Sequence, residues 1–553
     1  VTTSTHTYTA TLLTDPETEL HLDADNPGSI RLDSGRAPHV TGTLRLTPQS
    51  LDVLAALDPR ETPRIRIDVA ATFPTGAQTR TFDLGVRDFD RDQEDVLPEL
   101  PVASDEALLI DYAPLSDDAT PRTHEASLRA VCNYVLGEAI PGASLEAGPT
   151  DADVTAYWSV TNLFTNPSFE NTVAGWANGS LATGLAPTTG QAWVGSYSGH
   201  WQTTGAGQSF IDFNGPISVQ AGRSYVFSAY MRATVARPAR LMIRFKNAAG
   251  VLLSDRYSAP VNLTTTGWTR IVNIQTAPAG ATQVSAHVEY QASAAGQFPY
   301  VDGLMFYEGT EAIPYFDGAT PDSSTYTYDW TGAANVSTAT RTPLVERPPE
   351  SLIWRAGVDA LAFLSPLLQA AGLRLVCDEQ RRWTLRDESY RAPGALTVRY
   401  GINMIAGRER ISRDSGLWFD ARVTRYTWTD ADGTRQERID AFALNTPHTR
   451  LTTLEIEAPY PGPGRSEYAV RRAQGRGREV TVTKVSDWFA AAEQPISINL
   501  DGAPTQLGIT QSIEFDLSND RMTIETRTTD TPADAVDLLA GTVDALVGTV
   551  DDL

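Results

Sequence analysis

Seven histidines and 68 carboxylates are the residues of this 553-residue chain best suited to acid–base or metal chemistry. Their spacing assembles neither. No two histidines stand at a metal-ligand spacing, and H-E-x-x-H, C-x-x-C and a glycine-rich phosphate loop do not occur. VGSYSGH (194–200) approaches a nucleophile elbow, but Tyr197 occupies the place where the serine would have to be. TDADGT (429–434) is acidic, yet Trp428 and the alternation around it predict a hairpin with Asp432 and Gly433 at its turn. Two carboxylates distant in sequence could still meet in the fold as a glycosidase pair. The linear pattern proposes no catalytic residue, so the expectation is a protein that is not an enzyme. Cys132 and Cys377 are too few for a disulfide scaffold and read as buried thiols.

Charge narrows the ligand classes. There are 44 basic residues and the net charge is −24, which argues against nucleic acid as the main ligand. One stretch departs from this. GRSEYAVRRAQGRGR (464–478) gathers Arg465, Arg471, Arg472, Arg476 and Arg478 against Glu467. Pairing with acidic surfaces of a neighbouring subunit is the expected role, with nucleic-acid contact as the alternative. No run of 18 apolar residues exists, so no membrane-spanning helix is expected. VTTSTHTYTATLL at the start has neither a basic nor a long apolar region, which reads against a secretory signal.

The elements that must position any site fall into blocks. Over residues 1–160, ATLL, RIRIDVAATF and QTRTFDLGVRDFD alternate like strands, and Leu128, Val131, Val135 and Leu136 mark an amphipathic helix. Over 161–318 the composition turns to Asn, Ser, Thr, Gly and aromatics, with short strands and Gly, Asn and Pro turns that predict a β-sandwich or jelly roll. Residues 319–349 read as a linker. The character of the first block returns over 350–530 with a helix and more strands, so the middle block reads as an insertion, which a loop accepts at low entropic cost. Over 531–553, Val536, Leu539, Val543, Leu546, Val550 and Leu553 form a heptad seam, weakened by Gly541 and Gly548. The fold class expected is mainly β with some α.

Two resemblances add to this. NLFTNPSFE followed by GW, then GSYSGHW, VQAGRSYVFSAYMRA, TTTGWTRI and YVDGLMFYEG resemble jelly-roll carbohydrate-binding modules. The flanks, with FDLGVRDFD, DEALLIDYAP, RRAQGRGREVTVT and DLSNDRMTIETRTT, resemble minor tail and baseplate hub proteins of siphophages that infect actinobacteria. That resemblance implies a two-barrel body, a homotrimer at the virion tail tip, assembly in the host cytoplasm, and contact with the distal tail ring, tape measure and other minor tail proteins. The C-terminal seam would then be one strand of a trimeric coiled coil. Three copies of a weak glycan-binding module would gain through effective concentration.

A jelly roll that binds sugar sets aromatic faces and polar groups on one surface. By strand alternation the candidates are Trp193, Tyr197, Trp201, Tyr230, Arg232, Arg244, Glu289 and Gln291. Phe169, Trp176, Tyr225, Phe227 and Trp268 read as core. The resemblance also implies a structural calcium, with Glu170 and Asp302 at the matching positions. The resulting expectation is a tail-tip component that presents a module for a host-envelope glycan. The alternatives are a tail-associated enzyme that cuts cell-wall polymer and a free bacterial polysaccharide-binding surface protein.

Overall fold

The computed structural model describes residues 4–89, 98–412, 418–430, 433–474, 478–503 and 505–532. The heptad seam from Val536 to Leu553 lies outside them. The fold is mainly β with some α, and the chain divides into two compact units. The first takes residues 1–156, 349–428 and 435–553, and the second takes 157–348 and 429–434.

The first unit is built on a 13-stranded sheet to which both ends of the chain contribute. Gly28–Asp33 pairs antiparallel with Gln506–Asp516, from Ser29 opposite Asp516 to Asp33 opposite Ser512. One apolar core spans the halves, with Ile30, Ile67, Phe82 and Leu100 beside Ile498, Phe515 and Ile524. This corrects the two-barrel expectation. The sheet runs from Thr18–Leu20 at one edge to Ala406–Ile411 at the other, and no barrel closes among the described residues. Pairing across the insertion joins the two strand sets into one continuous sheet. The amphipathic helix forms at Leu128–Ala139, capped by the Ser127 side chain, and buries Leu128, Val131, Val135 and Leu136. Cys132 and Cys377 are free and buried.

The second unit is a sandwich. A five-stranded sheet runs in the order Ala182–Thr188, Ser198–Thr203, Pro299–Glu308, Ser224–Ala233, Thr269–Thr276. A seven-stranded sheet follows the order Leu252–Tyr257, Pro238–Lys246, Gln283–Ala292, Gly207–Phe213, Trp176–Asn178, with two short strands alongside. Phe169, Trp176, Tyr225 and Phe227 fill the core between them, as expected, whereas Trp268 is only half-buried. The opening motif stitches the sandwich shut. Buried Asn162 donates to Leu304 O (2.9 Å) and accepts from Phe306 N (3.0 Å), and Asn166 O takes the Trp176 indole N–H (3.2 Å).

The stretch expected as a linker is structured. Tyr326–Trp330 and Ala339–Pro343 form a hairpin that pairs with Val160–Asn162 into a three-stranded sheet. Val160, Ile313, Phe316 and Ala339 pack on Val226, Met305 and Tyr307, which stand on the outer side of the five-stranded sheet. The aromatic residues of YTYDW, set in a linker-like composition, supply part of this packing through Tyr328 and Trp330.

Candidate functional site

The capping of one sheet decides where a site can lie. Ser224–Ala233 is buried almost continuously, because its outer side is covered as well as its inner one. Pro238–Lys246 in the other sheet keeps a period of two at its ends, with Arg240, Arg244 and Lys246 half-buried on the outer side.

Five of the eight candidate sugar contacts belong to the capped side. Trp201 is fully buried and donates to Ser209 Oγ at 3.0 Å, so it is core and not a platform. Strand alternation misleads at this position because the motif GSYSGHW places the large ring inward. Trp193 stacks on Tyr230 with centroids 3.5 Å apart and planes at 12°, and meets Tyr315 edge-on at 5.5 Å. The two rings therefore occupy one another's faces. Gly303, at φ 55°, permits this, since a Cβ there would come within 2.7 Å of the indole. Tyr197 is half-buried and its N–H donates to Glu170, while the Arg232 guanidinium donates to Thr265 O.

Arg244, Glu289 and Gln291 lie on the seven-stranded sheet, where the register adds residues that the linear pattern does not single out. Phe210 stands opposite Glu289, and Glu289 opposite Arg240. In the next row Asp212, His287, Met242 and Tyr257 follow one another across four strands. Beyond it come Ser285, Arg244 and Asp255, and on the other flank Gln208 faces Gln291.

The groups are held in fixed orientation. Arg244 grips Asp255 with two hydrogen bonds, 2.8 and 2.9 Å. Arg240 Nε is 2.7 Å from Glu289 Oε2, which also accepts from Gln208 at 2.8 Å. The same Arg240 lies 4.0 Å from the Tyr257 ring centroid, and Tyr257 is 41% exposed. Phe210 and His287 stack at 4.8 Å. His287 Nδ1 is buried without a partner. Burial, with Arg244 adding, pushes the His287 imidazole down to about 4, so it is neutral at pH 7. Burial raises the carboxyls of Glu289 and Asp212, whereas the Arg244 hydrogen bond lowers that of Asp255. The result is an outer face of planar donors and acceptors with an exposed ring among them, which suits a polyhydroxylated ligand with apolar ring faces. Alternation alone points outward at each of Gln208, Phe210, Asp212, Arg240, Asp255, Tyr257 and His287. Cross-strand register was the missing information.

Glu170 and Asp302 do converge, on the loop 193–197. Asp302 accepts from the N–H groups of Trp193 (2.8 Å), Val194 (3.1 Å) and Gly303 (2.7 Å). Glu170 accepts from Ser196 (3.0 Å) and Tyr197 (3.2 Å). Gly195, at φ 64°, lies so close that a Cβ would meet the Glu170 carboxylate at 2.1 Å. Neither carboxylate has an ion-pair partner among the described residues. Burial, opposed by those N–H bonds and assisted by the Glu170 charge, pushes Asp302 up to about 7. Both are hard oxygen ligands of the kind calcium takes, but among the described residues no three His, Cys, Asp or Glu side chains converge as a metal cluster.

The described members of the basic run are engaged within the chain. Arg465 donates to Gln369 (2.8 Å), Arg471 pairs with Glu467 (2.6 Å), Arg472 with Glu388 (3.3 Å) and Arg478 with Glu409 (3.3 Å). Arg476 lies outside the described residues. No helix among them is long and apolar enough to cross a membrane.

Comparison with known proteins bears on the second unit. Residues 161–295 match the family model of a carbohydrate binding domain. No curated protein matches the chain. Among solved structures, similarity extends to the CBM22-1 xylan-binding domain from Paenibacillus barcinonensis, at 14% identity and TM-score 0.24, covering 29% of this chain and 100% of that one. It extends also to the CBM22-1–GH10 modules of a Clostridium thermocellum endo-1,4-beta-D-xylanase complexed with xylohexaose, at 14% identity and TM-score 0.23, covering 27% of this chain and 28% of that one. A tailspike protein of bacteriophage CBA120 is similar at 16% identity and TM-score 0.22, covering 27% of this chain and 21% of that one.

Proposed function

We propose that the chain is a homotrimeric component of a phage tail tip whose second unit holds a host-envelope glycan without cleaving it. The observation that carries the glycan reading is the outer face of the seven-stranded sheet, with Arg240, Tyr257, Glu289, Arg244 and Asp255 set in register. The carbohydrate binding domain match over 161–295 supports it. Binding without cleavage is favoured because Asp255 and Glu289 are each committed to an arginine, an arrangement that holds hydroxyls and does not relay protons. The tail role rests on the resemblance of the flanks and on the C-terminal seam. Arg471, exposed on its helix, is the member of the basic run best placed to face a neighbouring subunit.

The test is retention of the whole chain on actinobacterial cell walls, compared with the same walls stripped of polysaccharide. Retention on the first alone, with no reducing ends released, is expected. Equal retention on both, or none on either, refutes glycan binding, and released reducing ends would move the protein to the enzymes. Three copies per tail tip in intact virions would be the expected count. Glu170 and Asp302 would hold a structural calcium, whose charge would offset the two carboxylates around the 193–197 loop. A chelator is expected to lower the melting temperature of the second unit by several degrees, and Glu170→Gln to abolish that difference.

A further inference from the structure

Four arginines of the first unit share two glutamates. Arg374 and Arg386 both pair with Glu493, and Arg472 and Arg527 both pair with Glu388. They come from four separate elements, Arg374–Cys377, Trp383–Arg386, the helix Arg465–Ala473 and Arg521–Pro532. Their side chains are only 11%, 9%, 13% and 7% exposed, respectively. Arg374 and Arg472 donate to the same carbonyl, Ser34 O, at 3.2 and 3.1 Å, so two cations sit side by side on a neutral acceptor. The Nε atoms of Arg374 and Arg527 are buried without a partner.

This surplus borders a cavity of about 320 Å³, lined by Ser34, Arg36, Gln369, Arg374, Tyr468 and Arg472 among others. Arg36, 55% exposed, is oriented by Asp33 at 3.0 Å. The groups around the cavity are desolvated: burial, with the Arg374 charge adding and Glu388 opposing, lowers the Arg472 guanidinium, and burial, with the Arg386 charge adding and Glu493 and Glu379 opposing, pushes His39 on the cavity wall down to about 4. Buried charge that no counter-charge completes is strongly unfavourable. Guanidinium forks match tetrahedral and planar oxyanions, and a cavity of this size suits a small molecule.

We infer that this cavity is a binding site for a small phosphate-type oxyanion, free or carried as the phosphoryl group of a small molecule, held between Arg36, Arg374 and Arg472. The site is independent of the glycan face and of its test.

The experiment titrates the whole chain calorimetrically with inorganic phosphate and, in a second arm, with a hexose phosphate, against sodium chloride at equal ionic strength. Either phosphate should give saturable heat, and about 10 mM should raise the melting temperature by about 2–4 °C over chloride. Arg36→Gln, at a half-exposed position, should weaken affinity about tenfold, and Arg471→Gln should leave it unchanged. Tighter binding of the hexose phosphate assigns the carried form, and equal affinity assigns the free anion. No heat in either arm, a thermal shift that chloride reproduces, or wild-type affinity in both Arg36→Gln and Arg472→Gln overturns the site.

Discussion

The two sheets of the sandwich share one core, and only one of them has its outer side covered. On the five-stranded sheet, Val226, Met305 and Tyr307 stand outward and are covered by Val160, Ile313, Phe316 and Ala339. On the seven-stranded sheet the outward positions carry Arg240, Arg244, Asp255, Glu289 and Tyr257, paired among themselves. An aromatic on the first sheet contributes cohesion, and one on the second is available to a ligand. Tyr230 and Tyr257 illustrate the difference. The first lies against Trp193, whereas the second has a cation on its ring and is 41% exposed.

The largest expected effect falls on the capped sheet. Phe316→Ala removes a ring that is 1% exposed and should cost about 3–5 kcal/mol in urea unfolding. Glycan retention should survive wherever the variant is folded. A loss of retention in folded Phe316→Ala would erase the distinction between the sheets. Next comes the open sheet. Arg240→Ala leaves the Glu289 carboxylate buried without its cation and should lower retention about tenfold or more in affinity electrophoresis. Tyr257→Ala should cost about 1 kcal/mol, roughly fivefold, with little change in melting.

A smaller effect follows from proton uptake. The His287 imidazole, at about 4 in the folded chain, takes a proton later than in the unfolded chain as pH falls. Its contribution is therefore complete above about 6.5 and is lost as pH falls toward 4. Melting temperature against pH reads this out. His287→Gln should gain on the parent chain by a few degrees between pH 7 and 4.5. A constant difference would mean that His287 does not titrate in this window. The smallest expected effect is that of Arg232→Ala, on the capped sheet, which should leave retention within twofold.

Period-two alternation made the strands legible, and the change of composition at Asn162 falls near the boundary of the second unit at Tyr157. The helix at Leu128–Ala139 was legible from four residues at helical spacing. The candidate site was legible in part. Arg244 and Glu289 alternate outward and lie on the open face, while Trp201 follows the same pattern and is core. Alternation says which residues share a face. It does not say which face the rest of the chain will cover, and here the cover comes from Phe316 and a hairpin whose Thr, Ser and Asp content resembles a tether. The joining of Gly28–Asp33 to Gln506–Asp516 was illegible for a related reason, since register between strands so far apart leaves no local trace.

The pairing of Val160–Asn162 with Ala339–Pro343 has a mechanical consequence. Asn162 lies opposite Ala339, Thr161 opposite Thr340 and Val160 opposite Arg341, and farther out Tyr157 bridges Arg347. The chain thus enters and leaves the 157–348 segment on neighbouring antiparallel strands. A pull between this segment and the rest of the protein is divided between two covalent strands drawn in the same direction. Tension of that kind neither peels the pair apart nor slides one strand along the other, so the hydrogen bonds between them are left unstressed. A sandwich threaded with its termini at opposite ends would instead have its own sheets sheared by the same force.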